Sequence, residues 1–279
     1  MRKWLRTALI ILFSTVFLVS AFMVARYYIN SHKQNTQFET LSEMVSNKRP
    51  TRPPIPVATT PPAPSDDIDA VTEPAAELPT EPVETQPPQP LPEYIEVSSL
   101  NSQMIGWLQI EGTKIDYPVM HTPDDPEYYL HKDFYHKHSS HGCLFIEETC
   151  DADRPSDNIT IYGHNMKDGS MFAPLNNYRS KSYWENHRYI YFDTLTERHT
   201  YEIFAVFTTK ATKGSGFAYH QFVDAASPGR YDDFIRDCLD ISLYDTGIIP
   251  VYGDKLITLS TCEYSQRNGR LVVVAKRVV

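Results

Sequence analysis

Glycine is missing from the first 105 residues, and the whole chain of 279 holds only 11 glycines and 4 cysteines. So few cysteines exclude a small scaffold stapled by disulfides. Proline is crowded instead of scattered, with fourteen of the 21 between Pro50 and Pro92. A front third of this composition offers no globular core, which leaves residues 94–279 to bury one and argues against a two-domain enzyme. Excess positive charge is lacking as well. Residues 1–93 carry 8 basic and 10 acidic side chains, and residues 94–279 carry 18 and 25, for net charges of −2 and −7. An acidic folded part has no electrostatic footprint for a phosphate backbone, so nucleic acid is not an expected partner.

Charge is absent from Thr7 to Ala25, a run of mostly Leu, Ile, Val, Phe and Ala. At about 1.5 Å per residue it comes close to the roughly 30 Å hydrocarbon core of a bilayer. Arg2, Lys3 and Arg6 precede it, which favours a cytoplasmic N-terminus and an exported remainder. A cleaved signal peptide is the competing reading. The run exceeds a usual h-region, and Phe22-Met23-Val24-Ala25 lacks a small-x-small cleavage site. We therefore expect residues 1–28 to be a cytoplasmic tip and single-pass anchor, and residues 29–49 a juxtamembrane segment. Residues 50–93 contain eight acidic side chains and Arg52 as the one basic side chain. Self-repulsion and proline bias such a stretch to extended polyproline II. A PxxP-type ligand is possible there, but a spacer holding the domain 94–279 off a membrane is the expectation.

From Tyr94 onward, runs rich in Val, Ile, Tyr, Phe and Thr alternate with Gly, Pro, Asp and Asn. They predict strands at 106–110, 115–119, 143–147, 158–162, 189–193, 201–208, 255–261 and 271–278. Ser227-Pro228 supplies an N-cap and first-turn proline for one helix, whose face carries Tyr231, Phe234, Ile235, Cys238 and Leu239. Helices around Leu100 and 171–175 are weaker predictions. Eight short strands and few helices suggest a mainly β fold, a closed or nearly closed barrel with peripheral helices.

Thr258-Leu259-Ser260-Thr261-Cys262 ends one predicted strand, and Arg270 opens the next after a loop with an Asn-Gly turn signal. Paired as a hairpin, these strands put Cys262 beside Arg270. A guanidinium near a thiol favours the thiolate and can donate to a developing oxyanion. A packed cysteine beside a surface arginine would read the same way in isolation. Asn158-Ile-Thr-Ile-Tyr162-Gly163-His164-Asn165-Met166 adds an imidazole just past another strand. A thiol needs such a partner to become a nucleophile and to protonate a leaving amine. Chain spacing does not say whether the two meet.

These two motifs, with Ile115-Asp-Tyr-Pro-Val119, Tyr128-Tyr-Leu130 and Asp133-Phe134, resemble those of the class B sortases over nearly all of 94–279. The resemblance implies an eight-stranded sortase barrel and a cysteine transpeptidase on the outer face of a Gram-positive membrane. By matching position Cys262 would be the nucleophile, His164 the general acid/base, and Arg270 the oxyanion or substrate-positioning group. Tyr162, Leu130, Ser260 and Thr261 match positions that line the family's substrate groove. Pro126 stands where relatives often place Asn. The implied reaction is attack on the Thr carbonyl of an NPxTx- or LPxTG-type sorting signal on a secreted protein. An amine of peptidoglycan or of its lipid-linked precursor would then resolve the thioester. No metal or other cofactor is implied. Two rivals stay open: a cysteine hydrolase on the same scaffold, and a non-enzymatic anchored surface-binding module.

Other candidates have plainer readings. Ser139-Ser140-His141-Gly142-Cys143 is similar to an element of L,D-transpeptidases, but Leu144-Phe145 follow where that family has an Arg, so Cys143 reads as core. Five of the ten His lie between His121 and His141 without completing a metal-ligand spacing. Export permits a disulfide, and Cys143 with Cys150 is the nearest pair in sequence; Cys238 reads as packed. Gly214-Ser-Gly216 reads as a loop, not a phosphate cradle, and the Asn158-Ile-Thr160 sequon falls on a predicted strand.

Overall fold

Neither proline nor glycine occurs before Pro50, and residues Lys3–Ser46 form one uninterrupted helix, α1. The computed structural model describes residues 3–52, 89–151, 156–210, 212, 214, 216–263 and 268–278. The first half of α1 touches nothing and is long and apolar enough to cross a membrane. The second half buries Ser31, Gln34, Phe38, Leu41 and Val45, the three-and-four spacing of one helical face. Only three of these five are apolar, which is why this face escapes a reading of the sequence by hydrophobicity.

Eight strands follow: β1 (Met104–Gln109), β2 (Asp116–Met120), β3 (Leu144–Ile146), β4 (Asn158–Tyr162), β5 (Tyr189–Thr194), β6 (Thr200–Lys210), β7 (Leu256–Glu263) and β8 (Gly269–Arg277). They close into the expected barrel in the order β1-β2-β3-β4-β7-β8-β6-β5. Two neighbouring pairs, β2–β3 and β4–β7, are parallel. Helices α2 (Pro92–Leu100), α3 (Lys181–Asn186) and α4 (Pro228–Asp240) decorate it. The weakly predicted helix at 171–175 is a 3₁₀ helix over Ala173–Arg179. The Ser227 side chain caps α4 by accepting from the Arg230 amide.

Both faces of β8 are covered, which explains its unbroken apolar run. Leu271, Val273 and Ala275 join the main core, whereas Val272 and Val274 join a second core beneath α4 with Tyr231, Phe234 and Cys238. All four cysteines are free thiols, so the candidate pairing of Cys143 with Cys150 is not made. Each is buried separately: Cys143 packs in the core, and Cys150 donates to the Asn158 carbonyl. Burial raises both thiols, Cys150 to about 11.

The spacer expected over 50–93 is shorter at its far end. Pro92 and Glu93 belong to α2, and buried Glu93 is paired with Arg198. Residues 53–88, its bulk, lie outside the described residues. At the near end Arg52 donates to Asp193 Oδ2 at 2.6 Å, and Tyr94 Oη donates to the same oxygen at 2.6 Å. Leu91 N, entering α2, bonds the Leu195 carbonyl two residues beyond Asp193. The chain therefore reaches the barrel through α1, ahead of the proline-rich stretch, and rejoins it at the corner it left. Asp193 is fully buried. Truncating one partner of a buried ion pair strands the other, so Asp193→Ala is expected to cost about 3–5 kcal/mol, read from the shift in urea midpoint.

Candidate active site

The hairpin predicted for the last two strands forms in the expected register, with Cys262 opposite Arg270. Directly opposed side chains on such a ladder have Cβ atoms about 4.5–5.5 Å apart. The parallel pairing of β4 with β7 then supplies what spacing could not. Tyr162 lies level with Ser260, so His164, two residues past the end of β4, and Cys262, two residues further along β7, come to about the same height at adjacent positions. The junction is tied by three bonds. Gly163 N donates to the Ser260 carbonyl at 3.2 Å, Thr261 Oγ1 to the Gly163 carbonyl at 2.7 Å, and Asn165 Nδ2 to the Cys262 carbonyl at 2.8 Å. Gly163 is required by space: a Cβ there would stand 2.5 Å from Leu144 Cδ2 and 2.7 Å from the Phe172 ring. Of the four cysteines, Cys262 alone is not buried.

Cys262, His164 and Arg270 share one groove of about 390 Å³. The other four expected residues, Leu130, Tyr162, Ser260 and Thr261, also border it. Their hydroxyls are engaged. Tyr162 Oη donates to Glu147 Oε2 at 2.5 Å, and Ser260 Oγ shares a 2.6 Å bond with Tyr219 Oη. Burial, reinforced by the Glu147 carboxylate, pushes the Tyr162 phenol far up, so it stays a donor. Pro126 sits on the rim.

Sequence reading missed Glu147, Tyr219 and His220 on the groove wall and Asn165 beneath the thiol strand. Glu147 ends a predicted strand, and Tyr219 belongs to a short 3₁₀ turn with no motif around it. Only the barrel's closure brings them in. The Cys143 alternative is buried away from the groove, and His141 is buried against Asp168 at 3.1 Å. Among the described residues no cluster of three or more His, Cys, Asp and Glu side chains is placed to hold a metal ion.

The His164 ring is fixed from one side. Its Nε2–H donates to the Leu130 carbonyl at 2.8 Å, leaving Nδ1 as the basic nitrogen of the neutral ring. Burial lowers its pKa below the ordinary 6.5, and the neighbouring His131 and His141 push the same way, against the Leu130 bond. His131 lies ring over ring with His164 at 6.2 Å.

The sortase domain family matches residues 108–278. Sortase B of Listeria monocytogenes is 33% identical over 188 residues, 67% of this chain and 74% of that protein. The structure of Staphylococcus aureus sortase B in a substrate complex is 28% identical with a TM-score of 0.62, covering 68% of this chain and 86% of that one. Sortase B of B. anthracis in complex with AAEK2 is 26% identical with a TM-score of 0.68, covering 88% and 96%. The chain belongs to the sortase family and, within it, to class B. It is accordingly a cysteine transpeptidase.

The depressed pKa has a definite sign. Between the folded value and 6.5 the unfolded chain binds this proton more tightly, so His164 subtracts stability as pH falls below 6.5. A proton NMR titration of the His164 ring is expected to place its midpoint below 6.5, and His131→Ala to raise it. A midpoint above 6.5 would contradict this account.

Proposed function

We propose that this transpeptidase acts on a secreted protein bearing an NPxTx- or LPxTG-type C-terminal signal, cleaving after Thr. Cys262 gives its thiol proton to His164 Nδ1 as Sγ bonds to the Thr carbonyl carbon and the carbonyl π pair moves onto oxygen, which takes up negative charge. Arg270 donates to that oxyanion and orients the signal. Collapse breaks the C–N bond, His164 Nδ1 delivers the proton to the leaving amine, and a thioester remains. An incoming amine of peptidoglycan or its lipid-linked precursor then attacks, giving its proton to His164 as the C–S bond breaks. Tyr162, Leu130, Ser260 and Thr261 hold the signal, with Glu147 fixing Tyr162. The apolar half of α1 anchors the enzyme as a single span, catalytic domain on the wall side.

The observation that carries this reading is the convergence of Cys262, His164 and Arg270 on one groove from three neighbouring strands. Thiol, imidazole and guanidinium are the nucleophile, proton carrier and anion donor that acyl transfer to an amine requires.

The enzyme, offered NPxTx, LPxTG and PPxTG peptides with and without a peptidoglycan-like amine, is expected to give Thr-specific cleavage and an amine adduct by mass spectrometry. Cys262→Ala is expected to abolish both. Cleavage products carrying water alone, even with amine in excess, would point to a hydrolase. Arg270→Lys keeps the charge and loses the planar fork, and at least about a tenfold fall in kcat/KM is expected, or about 1.4 kcal/mol of barrier. Near-normal turnover would remove Arg270 from the mechanism.

A further inference from the structure

Which end of the barrel faces the lipid is decided by how α1 docks, given that its apolar half is the anchor proposed above. The helix has no break from Lys3 to Ser46 and lacks the proline or glycine at which helices kink. The direction set inside the bilayer is thus carried rigidly onto the domain. Contacts along α1 follow a fixed order. Ser31 and Asn35, six and ten residues past Ala25, donate to Asp168, and Gln34 accepts from Ser139. Phe38 meets Tyr117, Ser42 donates to Asp116, and Arg49 pairs with Asp116 further along. At about 1.5 Å per residue, Asp168 lies roughly 9–15 Å beyond the apolar run, while Ser46 at the end of α1 lies about 32 Å beyond it. Asp168 is in the loop that begins with His164, so the catalytic-loop end of the barrel is the one nearest the membrane.

Next to the exposed acids Asp124, Asp125 and Glu127, one loop at that end carries a different charge. Residues 131–138 form a small loop closed by the Lys132–His138 bridge and a bond from Ser139 N to the His131 carbonyl. His131, Tyr135, His136, Lys137 and His138 are exposed on it. Its one acid, Asp133, is buried and spends its carboxylate on the amides of Tyr135 and Lys137. The surface therefore presents only cationic or protonatable groups and an aromatic ring, on a domain whose net charge is −7. Tyr28, exposed on α1 three residues past Ala25, takes the position of an interfacial aromatic.

We infer that the loop 131–138 rests on the anionic phospholipid headgroups of the leaflet from which α1 emerges, so that the His164 wall of the groove works at the lipid surface. Lys near an anionic surface gains electrostatic attraction that fades within a Debye length, so the loop's closeness to the lipid is what makes its charge effective. Lys48, just past α1, pairs with Glu96 in the middle of α2, and on this reading that pair lies on the side away from the membrane.

The test uses the full chain in lipid nanodiscs, with Cys262→Ala and one introduced cysteine labelled with a fluorophore at Phe17→Cys, Lys137→Cys or Glu96→Cys, the native Cys143, Cys150 and Cys238 being buried. Nitroxides are placed on either the headgroups or the acyl chains. Acyl-chain nitroxide quenching at position 17 reports the anchor. Headgroup nitroxides are expected to quench position 137 several-fold more than position 96, and a Gly-Ser hexapeptide inserted after Tyr28 to erase that difference. Replacing anionic lipid by phosphatidylcholine is expected to lower quenching at 137 at least twofold. Equal quenching at 137 and 96, with position 17 quenched, would overturn the orientation alone. An unchanged value at 137 in phosphatidylcholine would overturn the headgroup contact. An unquenched position 17 would remove the anchor and the inference with it.

Discussion

The parallel pairing of β4 with β7 is the constraint on which the site depends. These strands are about a hundred residues apart in sequence, and their ladder from Asn158–Leu256 to Tyr162–Ser260 fixes the heights of both chemical groups at once. A slip of one residue would turn the side chains beyond the ladder to the opposite face. Thr261 and Asn165 bond across the junction just past the last paired residues, so the register is held where it matters to Cys262 and His164. Gly163 lets Leu144 and Phe172 pack against that turn. The site is thus set by strand ends and not by long loops, which suits groups that must sit within bonding distance of a shared substrate.

Local and non-local order divide what the sequence could tell. The Cys262–Arg270 pairing is a hairpin, and a turn signal between two apolar runs was enough to find it. The eight strands and α4 were legible for the same reason, since periodicity and capping act over a few residues. His164 beside Cys262 needed the β4–β7 crossover, and no local pattern encodes that; the family resemblance supplied it. The docked face of α1 was illegible because Ser31 and Gln34 are polar and earn their burial only from Asp168, His141 and Ser139, far along the chain. Glu147 and Tyr219 were hidden likewise. Both have ordinary sequence surroundings and acquire their roles from Tyr162 and Ser260.

Charge is distributed with the same economy. Among the described residues the buried carboxylates each meet a donor through at least one oxygen: Asp193 with Arg52 and Tyr94, Glu93 with Arg198, and Asp133 with two backbone amides. Asp168, which bonds Ser170, Ser31 and His141, is held well below the usual carboxylate range by those donors against the opposing effect of burial. It therefore stays ionised at neutral pH, and it supports the loop that carries His164. The imidazole itself is kept on the neutral side by burial.

The corner shared by Arg52, Asp193 and Leu91 gives the molecule a second property. The covalent path from α1 to the barrel runs through residues 53–88, but the physical attachment does not. Phe38, Leu41 and Val45 are packed into the main core, and Arg49 and Arg52 are bound to barrel carboxylates, all ahead of that stretch. A protease cutting once within residues 53–88 would split the polypeptide into two pieces that separate on a denaturing gel. In the native state the barrel would still be clasped to α1, so the two pieces would not separate on nicking alone.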